Sequence, residues 1–129
     1  MNQSDKGLLL VDLCSRYPYG IVVRLDDKNV CVEEIKFSRG DYFFTLSGDK
    51  TYIGVLVERI KPYLRPISSM TPEEKEDFKK TFETYENIMG VELTCLSYSS
   101  IDWLNAHHFD YRGLIEKGLA IDATNLNIY

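Results

Sequence analysis

The sequence predicts an α+β fold: an antiparallel meander of four to five strands curling into a partly open barrel, with an N-terminal helix, a capped central helix and two short C-terminal helices. Three observations predict it. Residues 21–57 alternate apolar and polar positions between short turns. Residues 71–89 open with a capping box and carry apolar residues at helical spacing. Residues 100–118 place caps, apolar positions and a stop glycine in the order two short helices need.

In residues 5–17, Leu9, Leu10, Leu13, Cys14 and Tyr17 recur at helical spacing, with Asp12, Ser15 and Arg16 on the other side. Ser4 is the expected cap, and Pro18 disfavours helix in the residue before it. A strand over residues 8–13 is the alternative. Four strands follow. Ile21, Val23 and Leu25 begin the first, and Val30, Val32, Ile35 and Phe37 run along the second. The change of phase at Glu33 and Glu34 predicts a bulge or strong bend. Tyr42, Phe44 and Leu46 mark the third strand, and Thr51, Ile53, Val55 and Val57 the fourth. The turns fall at residues 26–29, 38–41 and 47–50. Gly54 inside the fourth strand signals a bend or a close backbone approach.

Pro62 and Pro66 force extended backbone, so residues 58–70 are expected to cross the core rather than join the meander. Thr71 then caps a helix, Pro72 suits its first position, and Glu74 completes the box. Phe78, Phe82, Tyr85 and Met89 form its apolar stripe, with Gly90 as the stop. Val91, Leu93 and Cys95 alternate with Glu92 and Thr94, which fits a fifth strand or an extended run over residues 91–98. Ser99 or Ser100 caps the next helix, with Asp102 in its first turn. Asp110 caps a second one over residues 111–117, and Gly118 stops it.

At 129 residues and 44% apolar, the chain can bury one core, so a single domain is expected over residues 1–129, with a tail from about residue 122. Acids outnumber bases 20 to 15, which disfavours a phosphate-binding face. Nucleic-acid binding would need a local basic patch such as Lys61, Arg65, Lys79 and Lys80. No apolar run reaches the length of a membrane span or signal peptide, so a cytoplasmic location is expected. Cys14, Cys31 and Cys95 lie in apolar runs without a C-x-x-C spacing, and are expected to be reduced core thiols.

The densest polar constellation is Trp103, Asn105, His107, His108 and Arg112, with Asp110 beside it. Adjacent helical histidines diverge by about 100°, so they do not share a metal readily, and no metal or cofactor is expected. His107 or His108 with Asp110 could form a general-base pair, which makes a small hydrolase or transferase one alternative; no nucleophile elbow accompanies it. The structural alternative has Asp110 capping, Arg112 pairing with an acid, and the histidines at a helix end where positive charge is favoured. Trp103, Asn105, His107, His108 and Arg112 otherwise suit a protein contact surface, for another protein or for self-association. Arg39, Gly40 and Asp41 spell an adhesion tripeptide, but they sit where a turn is predicted and are read as turn chemistry.

The blocks LLLVDLCSRYPYG, IKPYLRPISSMTPEE and WLNAHHFDYRGLIEKGLA resemble blocks shared by a family of small uncharacterised proteins of gut bacteria, often found near prophage-like genes. They span about a third of the chain. The resemblance implies a mobile-element setting and brings no activity or site residues. The expectation is a protein-binding or accessory module, with an enzyme and a weak nucleic-acid binder as alternatives.

Overall fold

The computed structural model describes the backbone of residues 1–89 and 98–129, and the side chains outside 82–97. The fold is α+β, with helix α1 (Gln3–Arg16) set against a mixed sheet of β1 (Val22–Leu25), β2 (Lys28–Ser38), β3 (Asp41–Ser47), β4 (Thr51–Val55), β5 (Ile60–Pro66), β6 (Phe109–Asp110) and β7 (Ile121–Asp122). Helices α2 (Pro72–Met89) and α3 (Tyr98–Ala106) lie between β5 and β6 in the chain. The strand order is β4-β3-β2-β1-β5-β6, with β7 also on β5. The sheet does not close on itself, so the barrel stays open.

The four predicted strands form the meander. Leu25 pairs with Lys28 across a two-residue turn, and Ser38 with Asp41 across Arg39 and Gly40. Arg39 (φ 53°) and Gly40 (φ 80°) are both left-handed, as a primed hairpin turn demands. The Arg-Gly-Asp tripeptide is therefore a strand connection. The register of β2 against β3 slips between Val32 and Glu34, which is the predicted bulge. A second slip, between Phe44 and Leu46, puts Ile53 and Gly54 of β4 opposite one residue of β3. Gly54 takes φ 73° there, where a side chain would strain the backbone. The bulge lies on the outermost strand, where it blunts the exposed edge.

Residues 60–66 correct the expectation of a crossing segment. They are strand β5, antiparallel to β1 through Val23 and Pro62, Arg24 and Lys61, and Leu25 and Ile60. Proline does not exclude the segment from the sheet. Here it only fixes extended backbone, and the neighbours of β5 are too short to need every amide. Beyond β1, the partners of β5 are parallel: β7 at Tyr63 and Leu64, β6 at Arg65 and Pro66.

Helix α1 forms, but its caps and buried face differ from expectation. Asn2, not Ser4, caps it, accepting from the Asp5 amide at 2.7 Å. The buried positions are Leu9, Asp12, Leu13 and Arg16, an i, i+3, i+4, i+7 stripe that mixes apolar and charged residues. Cys14 and Tyr17 point outward instead. Cys14 and Cys31 are both exposed free thiols, not core residues, because neighbouring apolar residues in sequence face the other way. Cys95 and the fifth strand expected over residues 91–98 lie outside the described residues, save that Tyr98 begins α3; the Gly90 stop also lies outside them.

The capping box of α2 is present in full: Thr71 Oγ1 accepts from the Glu74 amide at 3.1 Å, and Glu74 Oε1 accepts from the Thr71 amide at 3.0 Å. Thr71→Ala leaves the Glu74 amide without this acceptor and should cost about 0.5–2 kcal/mol in a urea titration. Thr71→Ser should restore most of it.

Two apolar clusters result. Leu9 and Leu13 pack with Val23, Leu25, Val30, Phe44, Leu46, Ile60, Leu64, Leu114 and others between α1 and the sheet. Met70, Leu104 and Phe109 form a second, flanked by Phe78, Ile101, Trp103 and Tyr111.

Candidate functional site

The charged residues of α1 determine how the predicted constellation is built. Asp12 and Arg16 are both fully buried. Arg16 Nε donates to Asp12 Oδ2 at 2.8 Å and Arg16 Nη2 to Asp12 Oδ1 at 3.0 Å. Nη2 also donates to the Phe109 carbonyl at 2.7 Å, which ties the helix to β6. A second guanidinium, Arg112, donates to Asp12 Oδ1 at 2.8 Å and to Ser15 Oγ at 3.3 Å. One carboxylate thus joins its neighbour Arg16 to an arginine 100 residues further along the chain than itself. Both guanidiniums lie against the Tyr111 ring, 5.3 Å (Arg16) and 4.6 Å (Arg112) from its centroid. Tyr111 Oη donates to Asn105 Oδ1 at 3.0 Å, and Asn105 is buried.

The remaining members form an aromatic column. Trp103 stacks on His107 at 3.9 Å between centroids and lies parallel to Phe109 at 5.7 Å. Phe78 of α2 meets Trp103 at 5.2 Å, tilted by 37°. Arg65 caps the column over Phe109 at 4.2 Å and grips Glu74 through two bonds of 2.8 and 2.7 Å. That grip and the α2 cap hold the Glu74 carboxyl down at about 2.

The predicted surface is therefore largely internal. Asn105 is buried, and Trp103, His107, His108 and Arg112 are half-buried. Sequence spacing does not show this burial, because Phe78 comes from α2 and Asp12 from α1, and Phe109, next to His108, is buried on β6. Asp110 caps as expected, accepting from the Leu114 and Ile115 amides at 3.0 Å each. The residues after it form a series of turns in place of a regular helix, closed by Gly118 at φ 74°. The expected caps Ser99 and Ser100 sit inside α3, which starts earlier; Ser100 Oγ meets Thr81 Oγ1 at 2.7 Å.

No general-base pair assembles. Both oxygens of Asp110 are engaged by backbone amides, and no hydrogen bond among the described residues joins it to either histidine. His107 Nδ1 meets the Trp103 carbonyl at 2.8 Å. His108 takes φ 65° at the end of α3 and stacks on Tyr129 at 3.5 Å. The expected charge on it does not appear. Burial, aided by Arg16, His107 and Arg65, lowers His108 to about 4. Unfolding returns it to the ordinary value near 6.5. The unfolded chain then binds more protons between those limits, so the stability is full above pH 6.5 and is lost as pH falls through 4. After allowance for partial solvent exposure, the expected loss is about 1–2 kcal/mol. Urea midpoints at pH 7 and pH 4.5, with and without His108→Asn, measure it.

No three His, Cys, Asp or Glu side chains among the described residues converge as a metal site would require. Of the proposed basic patch, Arg65 is neutralised by Glu74, and Lys80 lies 3.7 Å from Asp77. No helix among the described residues is long and apolar enough to cross a membrane.

A different surface was missed by the sequence reading. Phe37 is 63% exposed and Val11 56% exposed. Phe37 and Tyr42 are in ring contact at 5.0 Å across the β2–β3 hairpin. Tyr42 also lines an open groove of about 410 Å³ with Leu10, Val11, Cys14 and Ser15 of α1. Partial desolvation in this groove pushes the Cys14 thiol up, which makes it a poorer nucleophile and a better apolar contact.

Neither a family model nor a curated protein nor a solved structure matches this chain.

Proposed function

We propose that this chain is a protein-binding module whose contact face is the apolar groove between α1 and the β2–β3 hairpin. The observation that carries the reading is the continuity of Val11, Cys14, Tyr42 and Phe37 as one largely exposed apolar surface. Such surfaces, rimmed by polar groups, are the usual mark of association sites. Ser15 is the polar residue in the groove, and Asp41, next to Tyr42 in the chain, pairs with Lys6 of α1 at 3.3 Å. From the sequence resemblance alone, we also propose a mobile-element setting.

This reading moves the contact face away from Trp103, Asn105, His107, His108 and Arg112. Those side chains serve better as a clamp, since each is engaged by a partner within the chain. Immobilised wild-type protein and a Val11→Asp, Phe37→Asp variant should be compared for capture from a native lysate, alongside sedimentation of both. The variant should still fold, at a cost of about 1 kcal/mol for the lost Phe37–Tyr42 ring contact, and should lose the captured partner or the self-association. Equal capture and equal sedimentation by the two proteins would remove the groove as the contact face.

A further inference from the structure

The segment following β7 is tied at its start by the Ala123 amide and at its end by one side chain. Tyr129 Oη donates to the Tyr63 carbonyl at 2.8 Å and accepts from the Val22 amide at 3.3 Å. Val22 and Tyr63 adjoin the last described pair of the β1–β5 ladder, Val23 with Pro62. The phenol hydroxyl therefore continues the ladder by one step, in place of a direct backbone bond. Between β7 and Tyr129 the strap has few backbone bonds of its own: the Ala123 amide to Leu64 at 2.8 Å and the Leu126 amide to Ala123 at 3.1 Å. Asn125 (φ 63°) and Asn127 (φ 54°) both turn through left-handed backbone, and Leu126 stays exposed. The Tyr129 ring lies flat on His108, with 6° between the planes.

We propose that His108 and Tyr129 form a proton-operated latch, which holds residues 123–129 across the β1–β5 seam while His108 is neutral and releases them when it is protonated. The charged and titratable groups facing the imidazole among the described residues are Arg16 of α1, His107 at the end of α3, Arg65 of β5 and the Tyr129 phenol itself. Two of these are permanent cations, and each is ion-paired: Arg16 with Asp12 and Arg65 with Glu74. A proton on His108 gains only the attraction of the Tyr129 ring. Against that stands chiefly the burial of a new charge, with a residual repulsion from the two paired guanidiniums. His108 regains water most simply if the ring above it lifts. Burial drives the phenol up to about 12, so Tyr129 stays neutral throughout and the proton acts through His108 alone. Opening would bare the Val22 amide and the Tyr63 carbonyl, a fresh backbone edge at the seam.

Amide hydrogen exchange of the intact chain, corrected for its intrinsic pH dependence, tests this. Protection of Val22 and Ala123 relative to Leu13 should fall by about tenfold per pH unit between pH 6 and pH 4, as one coupled proton requires. The midpoint should coincide with that of the His108 ring followed by NMR in the same sample. In His108→Asn, which tolerates left-handed backbone and carries no proton, protection should be lower at pH 7 and flat with pH. Tyr129→Phe keeps the ring and should keep the pH slope while losing protection at Val22. Constant relative protection down to pH 4 in the wild type, or the same slope in His108→Asn, would overturn the latch. The wild-type titration alone decides the matter if the asparagine variant does not fold.

Discussion

Asp12→Ala is expected to cost about 3–5 kcal/mol of folding stability, the range for breaking a buried ion pair on one side. The carboxylate is fully buried and is the only acidic partner of the equally buried Arg16 among the described residues. Removing it leaves a guanidinium with no route to water. It also frees Arg112, whose side chain is 19% exposed and can rehydrate. The loss should therefore be dominated by Arg16. A urea titration measures it, and Asp12→Leu combined with Arg16→Met separates the mechanisms. That pair removes both charges and keeps bulk, so it should recover most of the stability. If instead the double variant is as unstable as Asp12→Ala, packing rather than stranded charge sets the cost.

Phe109→Ala should lose a similar amount, about 3–5 kcal/mol, for a different reason. Phe109 is fully buried in the second cluster, with Met70 and Leu104. Its ring carries Arg65 on one face and lies parallel to Trp103. Truncation opens a cavity and unstacks both neighbours. Trp103 is the only tryptophan in the chain, so its fluorescence reports the second cluster directly. The emission should shift to the red in Phe109→Ala under native conditions. Phe109→Leu should cost less, since it keeps more of the volume.

The meander was legible because each strand is a local pattern: alternation, a turn and, at Glu33 and Glu34, a change of phase. The α2 capping box was legible for the same reason, since Thr71 and Glu74 are three residues apart and need no third party. Strand β5 was hidden by Pro62 and Pro66, whose local message is extended backbone and whose partners come from elsewhere in the chain. The buried face of α1 was hidden more deeply. Asp12 and Arg16 stand at i and i+4 with the acid first, the favourable order on a helix. That spacing signals a pair but not its burial. Burial depends on Arg112, Tyr111 and the Phe109 carbonyl closing over it, and none of these is near in sequence.

The same logic separates the readings of the 100–120 segment. Asp110 as a cap and Gly118 as a stop are local roles and were foreseen. The clamp needed Asp12 from α1, and the aromatic column needed Phe78 from α2. Once these partners arrive, a set of side chains that looks like a contact surface or an acid–base site becomes the seam between α1, α2, α3 and β6. The apolar groove at Val11, Tyr42 and Phe37 went unnoticed because α1 was assigned the wrong buried face.

Asp12 and Arg112 join α1 to the segment after β6 in one clamp, and a double-mutant cycle measures that link. Asp12→Ala, Arg112→Ala and the double variant should be compared by urea denaturation in the same buffer. A coupling of about 1–3 kcal/mol is expected, as for residues sharing a hydrogen-bonded network. Additivity within about 0.5 kcal/mol would contradict it, since that is the behaviour of independent sites.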